Sequence, residues 1–339
     1  MNSESLFEAF LSQHDQKDWS RIIDDLLPSI HEIDRNATRI WFHFYPLALA
    51  RAFRSAEDPQ ALARELVIQG SHLLCDRIDT SHRFLYGHRY WPDVKAAVIE
   101  HAASTASIDL AQQIHEVSQK VAKKIGIDES LTVGITAVAF MTLQQVGADD
   151  FRAWPGKLDL EQKIRARSPA QILRERARDD SQGLFGFLRG ERKEFTITFD
   201  ENDERAKFKL INSQHLTTAA AADHRPYHLR DPRCTINEGP IPVQCRSASC
   251  GTCWIGVLAG AEKLSPVGGL EGRAMKKFGY IDTSEKNPMI RLACQSQASG
   301  AVSIVIPPWN GVFGKLLRGQ DESAAEDQVE RDSWKSDSI

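Results

Sequence analysis

The sequence has no glycine-rich nucleotide signature. No Gly-x-Gly-x-x-Gly follows a strand pattern and opens a helix, and no P-loop occurs, which argues against a chain carrying its own flavin or nicotinamide domain. Long hydrophobic runs are also missing. The most apolar stretch, Leu131 to Leu143, is interrupted by Thr132, Gly134, Thr136 and Thr142 and is too short to cross a bilayer. The first residues, Met-Asn-Ser-Glu-Ser-Leu-Phe-Glu, lack a basic segment and a small-residue cleavage site, so no secretory signal and a cytoplasmic location are expected. Strong charge of one sign is absent too: a formal charge of −4 gives no electrostatic reason to expect nucleic acid. Cysteine is sparse, with six residues, and four of them share one motif. That favours a metal site in a reducing compartment over a disulfide framework. What is present is ordinary for a folded chain: 42% hydrophobic and 26% charged residues, in 339 positions that suit two domains or one large one.

Up to about residue 182 the pattern predicts an all-α helical domain of roughly six to eight helices. Asp58-Pro59 supplies an N-cap and a first-turn proline, with Leu62, Leu66 and Leu73 expected on one face. Ser107 is placed to cap a helix striped by Leu110, Ile114, Val117 and Val121, which Lys123, Lys124 and Gly126 should end. Asp128 begins the helix expected to be most buried, running to Gly147, and Ser168-Pro169 begins a last one. Residues 183–192 read as a linker. Beyond them the period changes to two. Phe195, Ile197 and Phe199 alternate with Thr196 and Thr198, a turn at Asn202-Asp203 follows, and Phe208 and Leu210 continue the alternation, which predicts a hairpin. A short helix over Leu216 to Ala222, a strand from Trp254 to Gly260, a helical patch near Arg273 to Lys277 and a strand over Ala301 to Pro307 complete the order. Residues 311–339 form an extension, acidic and Ser-rich from Asp321 onward and expected to be disordered.

The chemistry is concentrated in Cys245-Arg-Ser-Ala-Ser-Cys250-Gly-Thr-Cys253-Trp254 and, after a long gap, Arg291-Leu-Ala-Cys294-Gln295. Four thiolates suffice for two irons bridged by two sulfides, and C-x4-C-x2-C…C is a [2Fe–2S] spacing. A zinc knuckle is the competing reading. Zinc sites usually come as paired C-x2-C units, and only one such unit is present. Ligation by cysteine alone argues against a Rieske centre. Small residues in the loop (Ser247, Ala248, Ser249, Gly251 and Thr252) let backbone N–H groups approach the sulfurs.

Residues from about 193 to 308 resemble the plant-type [2Fe–2S] ferredoxin family in the Cys-Arg-x-x-x-Cys-Gly-x-Cys loop, the glycine-containing strand after it, and Arg-Leu-Ala-Cys-Gln. The resemblance implies a β-grasp domain over 193–310, a [2Fe–2S] cluster held by Cys245, Cys250, Cys253 and Cys294, and a potential on the order of −400 mV. Two departures stand out. The loop Pro226 to Pro242 is longer than the family usually has, and the acidic bias common among free-standing ferredoxins is missing, which weakens docking by opposite charge.

With no second cysteine set, the chain reads as an electron-transfer protein rather than a complete enzyme. It would relay single electrons between a reductase and an acceptor oxidoreductase, with the helical domain mediating partner docking. An iron–sulfur redox switch is one alternative. Another is an oxidoreductase subunit with a haem between helices, since eight of the eleven histidines fall in the helical part, among them His43, His82, His88 and His101. Against the haem stand the plainer roles: His43 and His101 as core histidines, His82 and His88 in a loop. No Cys-x-x-Cys-His is present for covalent haem, and no Glu-x-x-His for a di-iron bundle. Cys75 and Cys234 read as ordinary thiols, Cys234 lying close enough to Cys245 to be a substitute ligand. Finally, Gly183 to Gly190 and Gly311 to Gly319 share Gly-x-Phe-Gly-x-Leu…Arg-Gly, as paired apolar hooks flanking the cluster region would.

Overall fold

Helices fill the first half of the chain and a mixed sheet the second, as the change of hydrophobic period predicts. The computed structural model describes residues 3–103, 109–178, 193–279, 285–314 and 316. Ser107, the linker 183–192, the first glycine segment and the tail from Asp321 lie outside the described residues.

The helical region holds α1 (Ser3–Ser12), α2 (Gln16–Leu26), α3 (Glu32–Phe44), α4 (Leu47–Ser55), α5 (Pro59–Glu65), α6 (Trp91–Ala102), α7 (Leu110–Ile125), α8 (Ser130–Val146), α9 (Ala148–Ala153), α10 (Gln162–Arg165) and α11 (Pro169–Ala177). That is more than expected, because α5, α9 and α10 span only 7, 6 and 4 residues and leave little periodic signal. Three of the expected helix ends are in place, whereas α7 begins at Leu110 with Asp109, not Ser107, in the N-cap position. Asp58 accepts from the N–H groups of Gln60 and Ala61, Ser168 forms a capping box with Gln171, and Gly126 ends α7 in the left-handed region. α8 is the centre of the region and is buried from Leu131 to Leu143. The stripe Leu62–Leu66–Leu73 is a correction. α5 stops at Glu65, Val67 turns to φ 51°, and Leu73 lies outside any helix, half out in solvent.

The chain then pairs β1 (Gln69–Gly70) with a distant segment before the sheet is built from β2 (Glu194–Thr198), β3 (Lys207–Ile211), β5 (Trp254–Ala259), β6 (Ile290–Leu292) and β8 (Val302–Val305). Its order is β3-β2-β8-β5-β6. β2 and β3 form the expected hairpin, β2 and β8 run parallel at the middle, and the other neighbours are antiparallel. β4 (Gln214–His215) pairs with β7 (Gln297–Ala298), and β9 (Trp309–Asn310) pairs with β1. α12 (Leu216–Ala220) follows the hairpin and α13 (Gly269–Phe278) precedes β6.

Helices and sheet share one continuous hydrophobic core. α3 lies directly on β5: a Cβ on Gly256 would sit 2.6 Å from Ile40, so only glycine permits this approach. Phe44 meets Trp254 edge-on at 5.2 Å, Trp254 meets Trp309 at 5.4 Å, and the Trp309 indole donates to the Phe44 carbonyl at 2.6 Å. Asn36 on α3 donates to Leu258 O at 3.1 Å, and Arg176 on α11 grips Glu201 at 2.8 and 2.9 Å beside the sheet. The described part of the second glycine segment packs here as well. Phe313 is buried against Trp309, and Val312 N donates to Leu66 O at 2.7 Å. Among the described residues no helix is long and apolar enough to cross a membrane.

The candidate metal centre

Cys245, Cys250 and Cys253 lie on the loop that feeds β5, and Cys294 follows β6, the strand paired with β5. The ladder between these strands therefore sets the distance from loop to fourth cysteine: Trp254 faces Leu292, and Ala293 N donates to Cys253 O at 2.9 Å. The thiols converge as two pairs. Cys245 and Cys250 lie near enough to influence each other's ionisation, and so do Cys253 and Cys294. Cys253 and Cys294 are buried, whereas Cys245 and Cys250 are partly open to solvent.

The loop turns through left-handed positions at Ala248 (φ 60°) and Gly251 (φ 71°), which swing successive N–H groups toward the sulfurs. Burial pushes the Cys245 thiol up, but hydrogen bonds from the Ser249 hydroxyl, Cys250 and the Ser247 and Ser249 backbone outweigh it and bring it down to about 6. A hydrogen bond from Cys253 draws the Cys294 thiol down to about 7 against burial, helped by Gln295 and the Ala248 backbone. Donation to Cys294 and burial raise Cys253 in turn. The small loop residues thus do what the sequence predicts of them, bringing donors to sulfur. Further polar contacts pin the loop. The Thr252 hydroxyl lies 3.1 Å from Cys250 Sγ and accepts from Gln244 N at 3.2 Å, while Gln295 Nε2 reaches Cys294 Sγ at 3.4 Å and Arg246 O at 3.1 Å.

Two supports carry no sequence signal. Phe278, at the end of α13, lies so close to Gly251 that a Cβ there would come within 2.9 Å of its ring. Glu271 on α13 takes Arg291 Nε at 2.8 Å, Arg291 Nη2 at 2.9 Å and Leu292 N at 2.9 Å, with both charged side chains buried. This bidentate pair fixes the strand that delivers Cys294. Glu271 stands in the first turn of α13, twenty residues before Arg291, and nothing in its spacing marks it.

The remaining candidates lie elsewhere. Cys234 is buried, bonds to Pro240 O at 3.4 Å and is pushed up to about 12 by burial, so it stands as a packed thiol outside the two pairs. Cys75 is exposed. His82 lies in a turn and His88 in a short helical turn, both fully buried, with their Nδ1 atoms 2.9 Å apart. Rings in direct contact leave no gap for a porphyrin between them. His101 bonds to Gln113 at 2.9 Å, as a core histidine would.

Among the described residues, no three His, Cys, Asp or Glu side chains converge as a single ion would require. A closed zinc site needs four donors about one point. A sulfide-bridged two-iron cluster asks only two thiolates of each iron, and two pairs of thiols are what this loop and the end of β6 together offer. No curated protein and no solved structure matches the chain, and the N-terminal helical region matches no family. The family model that does match, over residues 234–299, is that of the 2Fe-2S iron-sulfur cluster binding domain, and this part of the chain is therefore a domain whose cofactor is a [2Fe–2S] cluster.

Proposed function

We propose that this protein is an electron carrier in which Cys245, Cys250, Cys253 and Cys294 hold one [2Fe–2S] cluster between a reductase and an acceptor oxidoreductase. The observation that carries the reading is the placement of these cysteines as one half-exposed pair, Cys245 and Cys250, and one buried pair, Cys253 and Cys294, on the loop before β5 and at the end of the paired strand β6. When bound, the cluster supplies reversible one-electron uptake and release. The Cys245/Cys250 pair would bind the solvent-side iron and Cys253/Cys294 the inner one. N–H and hydroxyl donors from Ser247, Ala248, Ser249 and Gln295 would stabilise the negative charge on the sulfurs.

The sheet supports a β-grasp reading of residues 193–310: an N-terminal hairpin, a helix, and a last strand returning parallel to the first at the sheet centre. Residues 1–182 then form the all-α unit and 311–339 the extension. That unit covers the face of β5 and reaches the cluster loop, where Gln69 contacts Gln244 at 3.2 Å. A partner at the half-exposed thiols would touch both units, which supports a docking role for the helices. Anaerobically purified protein should carry iron and acid-labile sulfide, give a [2Fe–2S] EPR signal on reduction, and turn over with a flavin reductase. Cys→Ser at any of the four positions should abolish cluster loading, whereas Cys75→Ser and Cys234→Ser should not. A colourless, zinc-loaded protein would overturn the assignment, and a cluster that reduces without turnover would overturn the carrier role.

A further inference from the structure

A cleft of about 340 Å³ opens where the helical region meets the sheet, away from the four thiols. That volume lies within the usual range for small-molecule sites, which favour such junctions. One wall is aromatic, with Phe44 and Phe84 from the helical side and Phe199 after β2. Arginines outnumber carboxylates in the cleft's charged lining, four to three, and two of the carboxylates, Glu201 and Asp231, are already paired with Arg176 and Arg233. Arg77 comes from the helical region, and Arg233 from the long loop that departs from the ferredoxin pattern. Three polar atoms of the lining residues are buried without a hydrogen-bond partner: Tyr45 Oη, Arg77 Nε and Arg233 Nη1. The Arg233 side chain is 5% exposed; Nη2 serves Asp231 at 2.6 Å and Pro307 O at 2.7 Å, leaving Nη1 over. Tyr45 is 2% exposed. Its hydroxyl is pushed up to about 12 by burial while the charges of Arg77 and Arg233, which line the same cleft, pull the other way.

Donors left unsatisfied in a buried site are costly, and several of them beside apolar side chains are complementary to an amphipathic anion. We propose that this cleft binds a small organic anion, its carboxylate or phosphate held by Arg77, Arg233 and the Tyr45 hydroxyl and its apolar body lying against Phe44, Phe84 and Phe199. The inference does not depend on what the cysteine site does.

Calorimetric titration of the full-length, cluster-loaded protein with benzoate and with phenyl phosphate tests it and separates the two headgroups. Inorganic phosphate and benzyl alcohol serve as headgroup alone and body alone. Saturable binding of at least one aryl anion is expected, at least about tenfold tighter than either fragment, since a charge-assisted contact is worth roughly a factor of ten or more. Arg77→Gln should weaken it on the order of tenfold. Tyr45→Phe, which removes one oxygen and little volume, should weaken it by a smaller factor, with the visible spectrum of either variant reporting an intact fold. No saturable binding at low millimolar concentration, equal binding of the fragments, or unchanged affinity in both variants would overturn the proposal.

Discussion

Removing the Glu271 carboxylate should loosen the strand that carries Cys294. In Glu271→Ala the Arg291 guanidinium, only 2% exposed, stays buried with its counter-charge gone, and Leu292 N–H loses its acceptor. Breaking a buried ion pair from one side costs about 3–5 kcal/mol. The orphaned amide adds roughly 1–3 kcal/mol, though the two overlap because they share one carboxylate. A loss of about 4 kcal/mol is therefore expected, a large part of the roughly 5–15 kcal/mol that holds a domain together. Glu271→Gln keeps an acceptor but no charge and should fall between. Glu271→Leu combined with Arg291→Met removes both charges and should recover the part of the loss due to the unpaired guanidinium, leaving the Leu292 amide without its acceptor. Urea unfolding of anaerobic, cluster-loaded protein, followed by circular dichroism and visible absorbance together, reads both fold and site. The absorbance of Glu271→Ala should disappear at lower urea than wild type, ahead of the helical signal. An unfolding free energy within about 0.5 kcal/mol of wild type, the spread of an ordinary surface substitution, or a double variant worse than the single, would refute the reasoning.

Gly251→Ala should load little iron and sulfide, because φ 71° is strained for alanine and its Cβ would sit 2.9 Å from the Phe278 ring; Gly269→Ala, with nothing within 4 Å, should load normally. Trp309→Ala should cost about 3–5 kcal/mol in the same urea assay, since the indole is fully buried and its N–H serves Phe44 O. Acid should destabilise the helical region through its buried imidazoles. His88 is held down to about 3 by burial, so its share of stability is complete above pH 6.5 and is lost as pH falls toward that value, roughly 3 kcal/mol between pH 6.5 and 4. Asp34 works oppositely: burial raises it to about 6, so its share is complete below pH 3.8 and is lost as pH rises through about 6. His82 is lowered as well, so two imidazoles outweigh one carboxyl, and chemical unfolding at stepped pH should give a shallower slope for His88→Gln than for wild type.

Much of this organisation is legible in the residues. Asp58-Pro59, Ser168-Pro169 and Gly126 act locally, through one side chain or one dihedral, so their signals survive in the sequence and mark helix ends correctly. Alternation around Phe195 and Phe208 gives the hairpin because one face of it is buried. The cysteine loop is readable because its chemistry demands both residue type and spacing. β1 and β9 were invisible: two residues each carry no period, and they pair across most of the chain. Glu271 and Phe278 were equally hidden, since their roles come from where α13 lands. The histidines misled for the same reason, as His82 and His88 face each other only once the fold has brought a turn and a short helix together.

The antiparallel contact between Gln69–Gly70 and Trp309–Asn310 has a consequence for how the molecule was assembled. It staples the last strand to a segment that precedes the cluster-bearing half, over a seam filled by Phe44, Trp254 and Trp309. A fragment cut out at residue 193 would carry a naked indole-rich flank and a ragged edge, and should precipitate or recruit other chains. The iron–sulfur half is thus not a detachable cartridge. Swapping in an unrelated carrier would require redesigning the seam, so the two halves are expected to vary together.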